Sequence, residues 1–137
     1  MTYLFGMMKT NTANFDVKLE VSQMDNQLEQ ARDTWVNAFF TGHYEVLAQY
    51  EHEQFKVVYE QQDHIETQHT RYERIVHAVK NGVWKPQKPA VEFEEFEFDY
   101  HQMRCQILIG LEQNQQKIQE LWLNESGWKI IELRYLK

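Results

Sequence analysis

The chain has one cysteine, two prolines and five glycines among 137 residues, and each scarcity removes a class of protein. A lone Cys105 rules out an internal disulfide and fits a reducing compartment. The glycines stand apart at 6, 42, 82, 110 and 127, so there is no Gly-rich phosphate loop. No Gly-x-Ser-x-Gly nucleophile elbow occurs, and Cys105 sits in an apolar strand pattern that suits a buried, inert thiol. No apolar run is long enough to cross a bilayer. The weakly apolar start, Met1 to Lys9, is too short for a signal peptide and has no basic residue before its apolar stretch. The expected location is the cytoplasm. Basic residues are also scarce: 14 Lys and Arg against 21 Asp and Glu give a net charge of −7. Nucleic acid and anionic membrane need a basic face, so neither is an expected partner. The plain reading of the acidity is solubility. The sharper one is an acidic surface that docks on a basic protein.

The histidines lack metal-ligand spacing. His64 and His69 are five apart, wrong for one helical face. His101 and Cys105 share a strand face, but their Cα atoms would lie about 13 Å apart. His52-Glu53 is not followed by the second His of a zincin. No metal and no cofactor is expected.

What is present is a core. A hydrophobic fraction of 42% with 14% aromatics argues against disorder, and the length suits one domain. Residues 1–22 read as an N-terminal arm or extra edge strand, because Phe15, Val17, Leu19 and Val21 alternate with polar residues. The domain proper spans 23–137. Ser22 with Asp25 predicts a helix start. Met24, Leu28, Ala31, Trp35, Ala38 and Phe39 continue it at helical spacing until Gly42. A short helix follows over about 43–50, then a strand at 55–59. Asp63 with Glu66 predicts the cap of a third helix with the stripe Ile65, Tyr72, Ile75, Val76 and Val79, stopped at Asn81-Gly82. Pro86 and Pro89 predict a loop. Four strands remain, about 91–101, 103–112, 115–124 and 127–136. The first changes parity between Phe93 and Phe96, which predicts a bulge at Glu94-Glu95.

Two segments carry a family resemblance. One is Trp35-Val36-Asn37-Ala38-Phe39-Phe40-Thr41-Gly42-His43-Tyr44, with Leu47 beyond it. The other is the closing pair of strands, Gln119 to Tyr135, joined at Glu125-Ser126-Gly127 with Trp128 just past the turn. Together with the order helix, helix, short strand, helix and four long strands, they resemble the NTF2-like superfamily, especially its SnoaL-like and DUF4440-type members. His43 stands where that pattern usually has Asp. The resemblance implies an α+β cone: three N-terminal helices packed in the hollow of a curved antiparallel sheet. It implies no particular reaction, because fold alone does not carry function. The superfamily includes isomerases, cyclases and transport factors, and its enzymes place an Asp, Tyr or His inside the cone against an apolar ligand.

On that expectation the candidate catalytic set is Asp99, His101 and Tyr72. A His or Asp near a Tyr in an apolar cavity could abstract a proton next to a carbonyl while the phenol steadies the enolate. The plainer reading leaves Tyr72 in the core with its hydroxyl at the rim, and Asp99 and His101 in solvent. Trp35, Phe39, Tyr59, His69, Tyr72 and Phe98 are the candidate ligand-binding residues. Apolar residues on both faces of the last strands predict a homodimer through the outer sheet face, with Trp122, Trp128, Glu132 and Arg134 at the interface. The plainer reading there is a cross-strand ion pair on a wet face. Three functions remain open: binding of a small apolar molecule, a cofactor-free isomerase or cyclase, and an acidic immunity or adaptor module.

Overall fold

A computed structural model describes residues 15–137. The chain runs α1 (Phe15–Thr41), α2 (Tyr44–Gln49), β1 (Glu51–Tyr59), β2 (His64–Thr67), α3 (Gln68–Lys80), β3 (Val91–Phe98), β4 (Arg104–Leu111), β5 (Lys117–Asn124) and β6 (Trp128–Tyr135). The six strands form one curved sheet in the order β2-β1-β6-β5-β4-β3. The expected α+β cone is therefore present. One pairing departs from an all-antiparallel sheet: β1 runs parallel to β6, a pairing that needs a long connection and here has β2, α3 and β3 to β5 between its two strands.

Helix α1 buries Leu28, Ala31, Trp35 and Ala38 against the concave face. Gly42, at φ +79°, ends it. A Cβ there would meet the Val79 and Trp84 side chains at 3.0 and 3.2 Å, so the turn needs glycine for both backbone and space. Residues 15–22, read as a strand, belong to α1 instead; their alternation is also compatible with a helix. Residues 1–14 of the expected arm lie outside the described residues.

The third helix starts four residues later than its expected cap. Asp63 sits at φ 49° in a tight turn between β1 and β2. Thr67 is the true cap, its hydroxyl accepting from the Thr70 amide at 3.2 Å. Ile65 is consequently a strand residue and is 57% exposed rather than core.

Two bulges reset the inward face of the sheet. Pairing of β3 with β4 slips between Val91 and Phe93, not at Glu94-Glu95. Phe93 therefore faces out over Gly110, while Glu94 turns inward and is buried. Pairing of β5 with β6 slips between Leu121 and Trp122, which leaves Ile131 as the extra residue. Trp128 and Ile130 then share the inner face with Leu133, and Glu132 and Arg134 turn outward. Trp122 and Trp128 are 0% and 4% exposed. That corrects their place in an outer-face interface: both are core residues under the helices. Glu132 and Arg134 do lie on the outer face, in an ion-paired row with Lys56 and Glu60.

Among the described residues no helix is long and apolar enough to cross a membrane.

Candidate ligand-binding cavity

A cavity of about 370 Å³ lies between α1, the inner face of β3 to β6 and the loop after α3. Its walls are apolar: Val36, Phe39 and Phe40 from α1, with Val91, Ile109, Leu111, Ile118 and Leu133 from the strands. The segment Pro86 to Pro89 forms its rim. Trp84 ties that segment down, its indole N–H donating to the Phe39 carbonyl at 2.7 Å. A wider groove of about 730 Å³ runs between α1 and the β5–β6 turn, past Gln30, Thr34, Tyr50 and Gly127. It is open surface with no buried charged side chain in its lining, so the smaller cavity is the better site.

The floor of the cavity is ionic. Arg32 projects from the apolar stripe of α1 and is fully buried. Its Nε and Nη2 donate to the Glu120 carboxylate at 2.7 and 3.1 Å, and Nη2 also donates to Glu94 at 2.8 Å. Glu120 further accepts from the Trp122 indole at 2.7 Å. Burial alone would lower the Arg32 pKa, but Glu120 and Glu94 outweigh it and hold the guanidinium charged, above its ordinary value. Two atoms are left over. Nη1 of Arg32 and Oε1 of Glu94 are buried without a hydrogen-bond partner.

A second buried pair stands beside the first. Arg71, from α3, donates to Glu51 at 2.9 Å, and the Trp35 indole donates to the same oxygen at 2.9 Å. Burial raises the Glu51 pKa against the opposing pull of Arg71 and Trp35. The Arg71 guanidinium lies 5.1 Å over the Phe39 ring and 5.4 Å over the Phe55 ring, which retains part of its charge stabilisation in an apolar wall. Tyr135 completes this side, its ring stacked 5.1 Å from Tyr59. Burial pushes its phenol up, chiefly by desolvation, so it is protonated at neutral pH.

The candidate residues scatter. Trp35 and Phe39 line the cavity. Tyr59 stands behind Tyr135 and donates weakly to Glu66 at 3.4 Å. Phe98 packs on Trp128, at 6.1 Å, toward the other end of the sheet. Tyr72 stacks edge-on with Tyr44 between the smaller helices, and His69 is exposed beside Glu73. Asp99 and His101 are exposed in the β3–β4 turn. There the Asp99 carboxylate accepts from the Met103 and Arg104 amides at 2.9 and 3.2 Å and closes the turn. The structure thus does not bring Asp99, His101 and Tyr72 together in the cone. Among the described residues no group of three or more His, Cys, Asp or Glu is placed to hold a metal ion.

Sequence reasoning missed Arg32, Arg71, Glu94 and Glu120. A signal existed for each. Arg32 falls four residues after Leu28 and three before Trp35, inside the apolar stripe. Arg71 falls four residues before Ile75, on the buried face of α3. Glu94 and Glu120 share strand parity with Phe96 and Trp122. A charge at an inward position is a buried charge, and it needs a partner.

No protein-family model matches the chain, and no curated protein matches it. Solved structures do. An NTF2-like protein from Cytophaga hutchinsonii is 12% identical with a TM-score of 0.59, over 77% of this chain and 91% of that one. A protein with a cystatin-like fold from Caulobacter vibrioides is 10% identical with a TM-score of 0.61, over 84% and 91%. An NTF2-like protein of unknown function in nutrient uptake from Rhodospirillum rubrum is 12% identical with a TM-score of 0.61, over 79% and 95%. At such identities the likeness is one of fold: the chain has the NTF2-like, cystatin-like α+β fold.

Proposed function

We propose that the chain binds a small, mainly apolar molecule in the cavity between α1 and the sheet. The observation that carries this reading is the cavity itself, about 370 Å³ with apolar walls and a few convergent buried polar groups. That is the composition and size of small-molecule sites. A catalytic reading through Asp99, His101 and Tyr72 has less support, because those residues stand away from the cavity. The reading as an acidic docking module calls for a cone filled by its own side chains, and a space of this size argues against it. A lone, buried cysteine, Cys105, fits a reducing compartment and so a place in the cytoplasm.

A second, independent reading concerns assembly. Leu108, Leu121 and Leu123 lie half-buried on the outer sheet face, and this apolar stretch supports a homodimer through that face.

Titration with the uncharged fluorophore N-phenyl-1-naphthylamine tests the first reading. The expected result is saturation at about one site per chain, with displacement by planar hydrophobic competitors. A folded protein that leaves the probe dark would refute it.

A further inference from the structure

We propose that the cavity selects a neutral ligand whose polar end both donates and accepts a hydrogen bond: a hydroxyl, phenol or primary amide on an apolar body. This rests on the cavity being a ligand site and says what that site recognises. The two leftover atoms on the floor are complementary. Nη1 of Arg32 can only donate, and Oε1 of Glu94, in an ionised carboxylate, can only accept. Both residues line the cavity. Both atoms belong to the two groups joined by the 2.8 Å Arg32–Glu94 bond. Each atom thus stands one covalent fork away from the same contact, and the proposed polar end bridges the two. A buried polar atom without a partner costs free energy, and a ligand that supplies both partners recovers it.

Charge and hydrogen-bond capacity decide against an ionised ligand. The buried cations Arg32 and Arg71 already pair with Glu94, Glu120 and Glu51, while Lys88 at the rim is exposed. A carboxylate entering this space would add a buried negative charge to three already there, and burying such a charge is costly. An ammonium can only donate, so it leaves Nη1 of Arg32 unserved and sets a second cation beside it. A hydroxyl serves both atoms and adds no charge.

A matched series on one ring system reads this directly. Naphthalene, 2-naphthol, 2-naphthoate and 2-naphthylmethylammonium are titrated into the full chain at pH 7. The expected result is 2-naphthol about tenfold tighter than naphthalene, with both ions no tighter than naphthalene. In Glu94→Gln the free acceptor becomes an amide, and the advantage of 2-naphthol over naphthalene in that same variant falls severalfold. Arg32→Lys keeps the positive charge but removes Nη1 and is expected to do the same. It also stands in if Glu94→Gln does not melt cooperatively. Equal binding of naphthol and naphthalene, or tightest binding of either ion, overturns the inference and leaves the cavity reading standing. No binding by any member to folded protein overturns the cavity reading and the inference with it.

Discussion

Trp35 and Trp122 meet edge to face, 5.8 Å between ring centroids at 89°, and each indole donates to a different buried carboxylate. Trp35 serves Glu51, and Trp122 serves Glu120. The two aromatic rings therefore couple two buried ion pairs, Arg71–Glu51 and Arg32–Glu120, in one polar layer beneath the helices. Every member of that layer depends on the others for its desolvation cost to be met.

Breaking the layer at one point is expected to be expensive. Glu120→Ala leaves Arg32 with Glu94 alone, its Nε unpaired, and leaves the Trp122 N–H without its acceptor; it should cost about 3–5 kcal/mol in urea unfolding. Glu132→Ala, on the wet outer face, should cost under about 1 kcal/mol. Equal losses in the two variants would contradict the assignment of the buried layer.

Gly110 is a strand glycine with a specific neighbour. A Cβ built on it falls 2.0 Å from Cε1 of Phe93, so the Phe93 ring occupies the space a side chain would need. Gly110→Ala should destabilise by about 1–3 kcal/mol through overpacking. Adding Phe93→Ala should make the Gly110→Ala step nearly neutral. An additive double mutant, measured by the same unfolding curves, would show that the ring does not cover the glycine.

Glu66 supplies a pH dependence. Its burial tends to raise its pKa, but the two 3.0 Å hydrogen bonds from Arg74 win and hold it below the ordinary value of 4.5. The folded state thus binds this proton less tightly than the unfolded chain. The stabilisation is present above the ordinary carboxylate value and is lost as pH falls through the folded value. Arg74→Met should therefore melt lower than the parent at pH 7, and the gap should close below about pH 4.5. A gap that widens on acidification would reverse the sign and contradict the pairing.

Much of the architecture is legible in the chain because apolar period and breakers agree there. The α1 stripe from Leu28 to Ala38 stops at Gly42, and Cys105, Ile107 and Ile109 alternate into the core. The site was not legible for two physical reasons. Each bulge flips every later side chain, and a single misplaced step puts Phe93 inside and Glu94 outside, the reverse of what the fold does. The same error sends Trp128 outward with Glu132. The second reason is that charged residues are expected in solvent. Arg32 and Glu94 are buried only because they find each other across 62 positions of sequence, a pairing that no local pattern records.

The outer face offers a test of assembly. If Leu108, Leu121 and Leu123 meet a second copy, sedimentation at micromolar concentration should show a dimer, and Leu121→Glu should yield a folded monomer. Leu121 is half-buried on the sheet surface, so circular dichroism should stay unchanged. A parent chain that sediments as a monomer would rule the interface out.

The central claim is that the space under α1 is a ligand site, and blocking it is the most direct measurement. Val36 is buried in its wall, and Val36→Trp fills part of the cavity. Thr34 is exposed and lines the open groove on the opposite side of the helix from Val36, so Thr34→Trp adds the same ring elsewhere. With N-phenyl-1-naphthylamine as the probe, Val36→Trp should lose about tenfold or more in affinity while keeping the parent's circular dichroism, and Thr34→Trp should bind as the parent does. Unchanged binding in a folded Val36→Trp, or an equal loss in Thr34→Trp, would place the probe outside the cavity and contradict the account.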